Sequence, residues 1–114
     1  MGYLTYDGHT AEIRIDDRTL AHLQIVIINK IRRQESFAFS WKEAASAGDG
    51  RSTVWIFPTV SLRFKFEGSR PPAINQTWVS RLSQTANSST GLQVLPEPAD
   101  QLVEVLVSVP TMGG

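Results

Sequence analysis

The chain contains no cysteine, which excludes disulfides and thiolate metal sites. Its two histidines, His9 and His22, stand at no spacing that matches a metal-binding pair. Charge of one sign is also lacking: 11 basic side chains balance 11 acidic ones. The balance holds along the chain, with six Lys/Arg and seven Asp/Glu in residues 1–50 and five and four in residues 51–114. A neutral chain of this kind argues against nucleic acid or an anionic membrane as the partner. The longest apolar stretch, Leu23 to Ile28, is broken by Gln24 and is far too short to span a bilayer. Residues 1–7 have neither a basic n-region nor an apolar h-region, so no signal peptide is expected and a cytoplasmic setting is the plain expectation. No Gly-x-Ser-x-Gly elbow accompanies the many serines. Glu35, Glu43 and Glu67 are isolated, without the pairing that glycosidic chemistry requires.

What is present suffices for one compact domain. Of the 114 residues, 41% are hydrophobic and include three Trp and five Phe, enough to build a core. Gly2 to Tyr6 and His9 to Ile15 read as a hairpin around Asp7-Gly8, a favoured two-residue type I′ turn. Ala11, Ile13 and Ile15 alternate with Glu12, Arg14 and Asp16, which predicts one buried face and one wet face. Asp16 or Asp17 is placed to cap a helix over residues 18–34. Leu20, Leu23, Ile27 and Ile31 form its apolar stripe, and Lys30, Arg32 and Arg33 lie near its C-terminus, where the dipole favours cations. His22 falls off that stripe and is expected to be exposed. Ile25, Val26 and Ile28 widen the apolar surface and mark this helix as an interface candidate.

Three extended segments follow. Residues 36–41 set Phe37, Phe39 and Trp41 on one face, and residues 53–57 are apolar on both faces, as expected near a sheet centre. Residues 61–67 point Leu62, Phe64 and Phe66 inward and Arg63 and Lys65 outward. A second helix is expected over residues 74–86, with Ile74, Trp78, Leu82 and Ala86 on one face. A short strand over residues 92–95 ends at Pro96. Beyond this proline-led point, residues 102–109 are strongly strand-forming and would be an aggregation hazard if left unpaired. Val103, Val105 and Val107 are therefore further interface candidates. The predicted organisation is a single α+β domain over residues 1–96 and an extension over residues 97–114. The order is ββαβββαβ with a possible extra C-terminal strand, read as one mainly antiparallel sheet of about six strands with two helices packed on one face.

Thr5-Tyr6-Asp7-Gly8 resembles the Lys-x-Asp-Gly signature of ATP-dependent DNA ligases, with Thr5 where the nucleophilic lysine belongs. A threonine hydroxyl cannot replace that amine without an activating base. A tight turn also needs Asp-Gly for backbone reasons alone. A second resemblance covers most of the chain. Asp17-Arg18-Thr19-Leu20-Ala21-His22-Leu23-Gln24, Phe37-x-Phe39-Ser40-Trp41, Gly48-Asp49-Gly50-Arg51, Gly68-Ser69-Arg70-Pro71-Pro72 and Thr85-Ala86-Asn87 are similar to a family of short uncharacterised bacterial proteins commonly labelled ATP-dependent DNA ligase. That resemblance implies a free-standing domain and carries over no catalytic residue.

Two functional expectations follow. The first is a non-enzymatic interaction module acting as a homodimer through the first helix, an exposed sheet face or the Val-rich tail. The second is a small nucleotide- or anion-binding protein linked to DNA or ATP metabolism. Its site would be built on Gly48, Asp49, Gly50 and Arg51, whose loop can present backbone N–H groups beside an arginine, together with Arg70. No cofactor, metal or catalytic residue is expected.

Overall fold

Asp16 decides where the first helix begins. Its carboxylate accepts from the backbone N–H of Thr19 at 3.0 Å and from the Thr19 hydroxyl at 2.7 Å, satisfying a donor that the first helical turn leaves orphaned. In the computed structural model, which describes residues 1–44, 46 and 48–99, helix α1 spans Asp17–Arg32. Strands β1 (Gly2–Tyr6) and β2 (Ala11–Ile15) precede it; β3 (Phe37–Lys42), β4 (Arg51–Ile56) and β5 (Leu62–Lys65) follow. Helix α2 (Gln76–Ala86) and strand β6 (Leu92–Gln93) complete the ββαβββαβ order. The expected strand at residues 102–109, with Val103, Val105 and Val107, lies outside the described residues.

The strands form two sheets rather than one. The first runs β2-β1-β5 and is antiparallel throughout; the second runs β4-β3-β6, with β6 parallel to β3. Helix α1 packs on β1 and on α2, while α2 packs on β3 and β6. Each sheet therefore carries a helix, and the helices join the two halves. Leu4, Ile13 and Ile15 of the first sheet share one core with Phe37, Phe39, Ile56 and Leu92 of the second, through Leu20, Leu23, Ile27, Trp78 and Leu82.

The structure differs from expectation at β4 and at the first turn. Residues 51–56 form an edge strand, not a central one, and Trp55 is 57% exposed on the face turned away from the core. Apolar residues on both sides of a strand do not distinguish burial from display. The first hairpin turns through four residues, since Tyr6 pairs with Ala11. Asp7 and Gly8 do take the left-handed backbone, with φ of 50° and 74°, a conformation glycine adopts at no steric cost.

Polar side chains pin the ends of the helices. Lys30 is almost fully buried and donates to Glu35 at 3.1 Å and to the Asn87 side chain at 2.6 Å. It thus connects the last turn of α1 to the end of α2, which a solvated cation near the helix dipole would not do. No described helix is long and apolar enough to cross a membrane.

Candidate functional site

Strand register decides which residues share the outer face of β4-β3-β6. Phe37, Phe39, Val54 and Ile56 turn inward, so alternation sends Arg51, Thr53 and Trp55 of β4 outward beside their partners Lys42, Ser40 and Ala38. Gln93 joins the middle row as the partner of Ser40. Arg51, Thr53, Ser40, Gln93 and Thr90 line an open concavity of about 650 Å³. The floor is polar: Ser40 and Thr53 share a hydrogen bond at 2.7 Å, and the Gln93 amide donates to the Thr90 carbonyl at 3.2 Å.

One end of this face is cationic. Arg51 and Lys42 are exposed cross-strand partners, and like charges directly opposite one another repel. Lys42 reaches Asp49 only at 4.0 Å, and Arg51 forms no ion pair among the described residues. The other end is aromatic, where Trp55 stands beside Ala38. Gly91 also abuts Ala38: a Cβ on it would come within 2.5 Å of the Ala38 carbonyl oxygen. Small residues therefore occupy the row beside the indole, and Trp55 is 57% exposed.

The sequence-predicted residues are distributed as follows. Arg51 opens β4 and lines this shelf. Gly48, Asp49 and Gly50 precede it in the β3–β4 connection, where the Asp49 N–H donates to the Ala44 carbonyl at 3.2 Å and the Gly50 carbonyl accepts from Glu43 at 2.7 Å. The Asp49 N–H is thus spent within the loop. Arg70 borders a separate, smaller concavity of about 220 Å³ with Phe66, Pro71 and Pro72, which shares no residue with the first. Of the helical interface candidates, Val26 is buried in the core, Ile25 is half-buried and Ile28 is exposed.

The ligase-like residues do not converge. Thr5 is nearly buried on the outer side of β1, with Glu12 and Arg63 as its neighbours in register. Tyr6 turns inward, and its hydroxyl donates to the Trp55 carbonyl at 2.6 Å. This bond ties β1 of the first sheet to the edge of the second. Asp7-Gly8 forms the turn.

His22 is fully buried, against the expectation of an exposed helix position. Its Nδ1–H donates to the Arg18 carbonyl at 2.7 Å, and its Nε2 accepts from the Asn75 N–H at 2.9 Å. The ring lies 4.4 Å from that of Trp78. Both ring nitrogens are satisfied, so burial carries no unmet polar cost, but the partner at residue 75 is distant in sequence and gave no local signal. Around it, Arg18 holds Glu97 through two hydrogen bonds at 2.7 and 2.6 Å, and Asn75 donates to Glu97 and to the Pro98 carbonyl. Hydrogen bonds from Arg18 and then Asn75 bring the Glu97 carboxyl from 4.5 down to about 2. Asp17, free of capping duty, accepts from the backbone N–H groups of Gly68 and Glu67, which lower its pKa. These contacts are architectural; they tie α1 and α2 to the strap that follows β6, at Glu97 and Pro98.

Among the described residues, no three His, Asp or Glu side chains gather as a metal site would require. No curated protein and no solved structure matches the chain. Residues 1–97, which cover both sheets and both helices, match the model of the family described as Domain of unknown function (DUF7882), and the chain belongs to that family.

Proposed function

We propose that the domain is a non-enzymatic binding module that holds a small anionic ligand on the outer face of β4-β3-β6. The observation that carries this reading is Arg51: exposed, in no ion pair among the described residues, set opposite a second cation, and opening onto a polar concavity. An anion placed there relieves the Arg51–Lys42 repulsion and accepts charge-assisted hydrogen bonds. The hydroxyl and amide row of Thr53, Ser40 and Gln93 offers further partners. A role in DNA or ATP metabolism, implied by the resemblance to proteins labelled as ligases, accords with such a ligand. Ligase chemistry itself lacks its nucleophile here, because the residue at the lysine position is Thr5.

The test is calorimetric titration of the full chain with inorganic pyrophosphate. Binding is expected, with Arg51→Gln weakening it at least about tenfold, since hydrogen bonds to charged groups are the stronger kind. Arg63→Gln, on the other sheet, leaves it unchanged. No binding at millimolar pyrophosphate, or equal loss in both variants, sinks the reading.

A second reading is homodimerisation, and the observation favouring it is Trp55, more than half exposed on an edge strand. It ranks below the first for two reasons. Among the described residues, the exposed large apolar side chains Met1, Ile28, Trp55 and Val94 come from four separate segments, whereas a stable interface buries about 1,000 Å² or more. The Tyr6 hydroxyl also already occupies an edge carbonyl of β4, blunting strand-to-strand addition. Light scattering on the full chain and on a truncation after Pro98 decides it: a monomer in both forms ends the dimer reading.

A further inference from the structure

We infer that the ligand of the β4-β3-β6 face is a mononucleotide, with its base stacked on Trp55 and its phosphates on Arg51 and Lys42. The inference rests on the anion-binding reading and adds the second half of the ligand. Three rows of different chemistry cross this face in order. Arg51 with Lys42 is cationic, Thr53 with Ser40 and Gln93 is hydroxyl and amide, and Trp55 with Ala38 is aromatic and bare. Arg51, Thr53 and Trp55 are alternate residues on one side of a strand, so the outer two stand roughly 13–14 Å apart. That order and reach suit a molecule with a charged end, a hydroxylated middle and a planar end. A nucleoside diphosphate or triphosphate has those parts in that sequence.

The aromatic row is fitted for stacking by what is missing around it. Trp55 is 57% exposed, its cross-strand neighbour is an alanine, and the residue beyond is Gly91, held at φ +82° against Ala38. No large side chain competes for the indole in the row. Its N–H donates to no described residue, unlike that of Trp78, which is bonded to the Leu95 carbonyl at 3.0 Å. Base–aromatic stacking is strong and tolerant of base identity.

Charge selects the mononucleotide over a strand of nucleic acid. The cations on this face are confined to one pair, Asp49 stands 4.0 Å from Lys42, and the whole chain carries no net charge. A polynucleotide needs a tract of phosphate contacts along its backbone. This face supplies one cationic end and then turns neutral.

The experiment compares ADP, inorganic pyrophosphate and ribose 5-phosphate on the full chain, by calorimetry and tryptophan fluorescence. ADP is expected to bind at least about tenfold more tightly than pyrophosphate, the increment coming from stacking, and to quench fluorescence where pyrophosphate does not. Trp55→Ala is expected to abolish the quenching and the ADP advantage while leaving pyrophosphate affinity intact. Arg51→Gln is expected to weaken both ligands. Circular dichroism checks that each variant is folded, as expected for exposed positions. Equal affinity for ADP and pyrophosphate, unaffected by Trp55→Ala, overturns the nucleotide assignment and leaves the anion reading standing. Ribose 5-phosphate matching ADP also overturns it, since the base then contributes nothing. Binding of neither ADP nor pyrophosphate overturns both readings. A single-stranded oligothymidylate binding far more tightly than ADP replaces the mononucleotide with a strand.

Discussion

On the outer face of β2-β1-β5, Arg14 and Lys65 flank Tyr3, while Glu12 and Arg63 flank Thr5. On the outer face of β4-β3-β6, Lys42 and Arg51 stand together at one end, Ser40, Thr53 and Gln93 fill the middle, and Trp55 lies at the other end. In the first sheet the polar and charged residues are spread around an aromatic or a threonine, so that no like charges meet on adjacent strands. A face of that kind is adequately served by water. In the second sheet the like charges are adjacent and the aromatic is set apart from them, so the face has a direction. Charge content alone does not separate the two faces. Cross-strand placement does, because neighbouring side chains on a sheet interact over about 5 Å.

Behind these unlike faces the sheets share one core, and the largest expected effects come from breaking it. Leu4 and Phe39 lie on the central strands of the two sheets, at 1% and 0% exposure. Leu4→Ala and Phe39→Ala are each expected to cost about 2–5 kcal/mol, the usual penalty of a large-to-small change in a packed interior. Denaturant unfolding followed by near- and far-ultraviolet circular dichroism is expected to stay a single transition for both variants. Separate transitions for the two sheets would show that the halves do not cooperate.

A smaller effect separates two crowded glycines, one in each half. A Cβ at Gly2 would meet the Lys65 carbonyl oxygen at 2.5 Å, and one at Gly91 would meet that of Ala38 at the same distance. Only Gly91 also has a positive φ, of 82°. Both Gly→Ala variants should lose stability, with Gly91→Ala losing about 1 kcal/mol more, from the left-handed backbone that alanine resists. Chemical denaturation midpoints measure the difference. Equal losses would mean that contact alone dominates at both sites.

The smallest effect concerns pH. Glu97 joins the strap after β6 to α1, and its folded pKa of about 2 lies below the ordinary 4.5. The sign follows from linkage: a depressed carboxylate contributes stability that is present above the unfolded value and lost as pH falls through the folded one. Glu97→Gln should therefore flatten the part of the acid stability loss that falls between pH 4.5 and about 2. Asp17, the first residue of α1, is shifted in the same direction by the Gly68 and Glu67 N–H groups, which follow the first sheet's β5. Asp17→Asn should reduce the acid dependence below Asp17's ordinary value of 3.8. Melting temperatures across this pH range compare the two anchors. Unchanged profiles in both would mean that solvent screens the contacts.

Much of the local structure was legible in the residues themselves. Asp16 announces α1 because a carboxylate at that point satisfies an orphan N–H, and Leu20, Leu23 and Ile27 predict its buried stripe. Phe37 and Phe39 are buried where alternation sends them. The order of all six described strands and both helices follows from such short-range patterns. The shelf was legible only in part. Arg51 stood out beside its glycines, but Ser40, Thr53, Thr90, Gln93 and Trp55 carried no sign of belonging with it. Arg70 stood out equally and faces a different concavity.

The remaining decisions belong to contacts between residues far apart in the chain. His22 is polar and off the apolar stripe, yet it is buried because the Asn75 N–H, 53 residues away, meets its Nε2. Trp55 stands in an apolar run that reads as a central strand, yet it is displayed because alternation from the buried Ile56 turns it to the outer face, away from the shared core. Periodicity, capping and turn chemistry act over a few residues, so the sequence by itself determined the elements, their order and the inward side of most strands. Strand partnership, the division into two sheets and the gathering of cations, hydroxyls and an indole on one face depend on which surfaces meet. Only the tertiary structure decided those, because no local pattern encodes a neighbour fifty residues away.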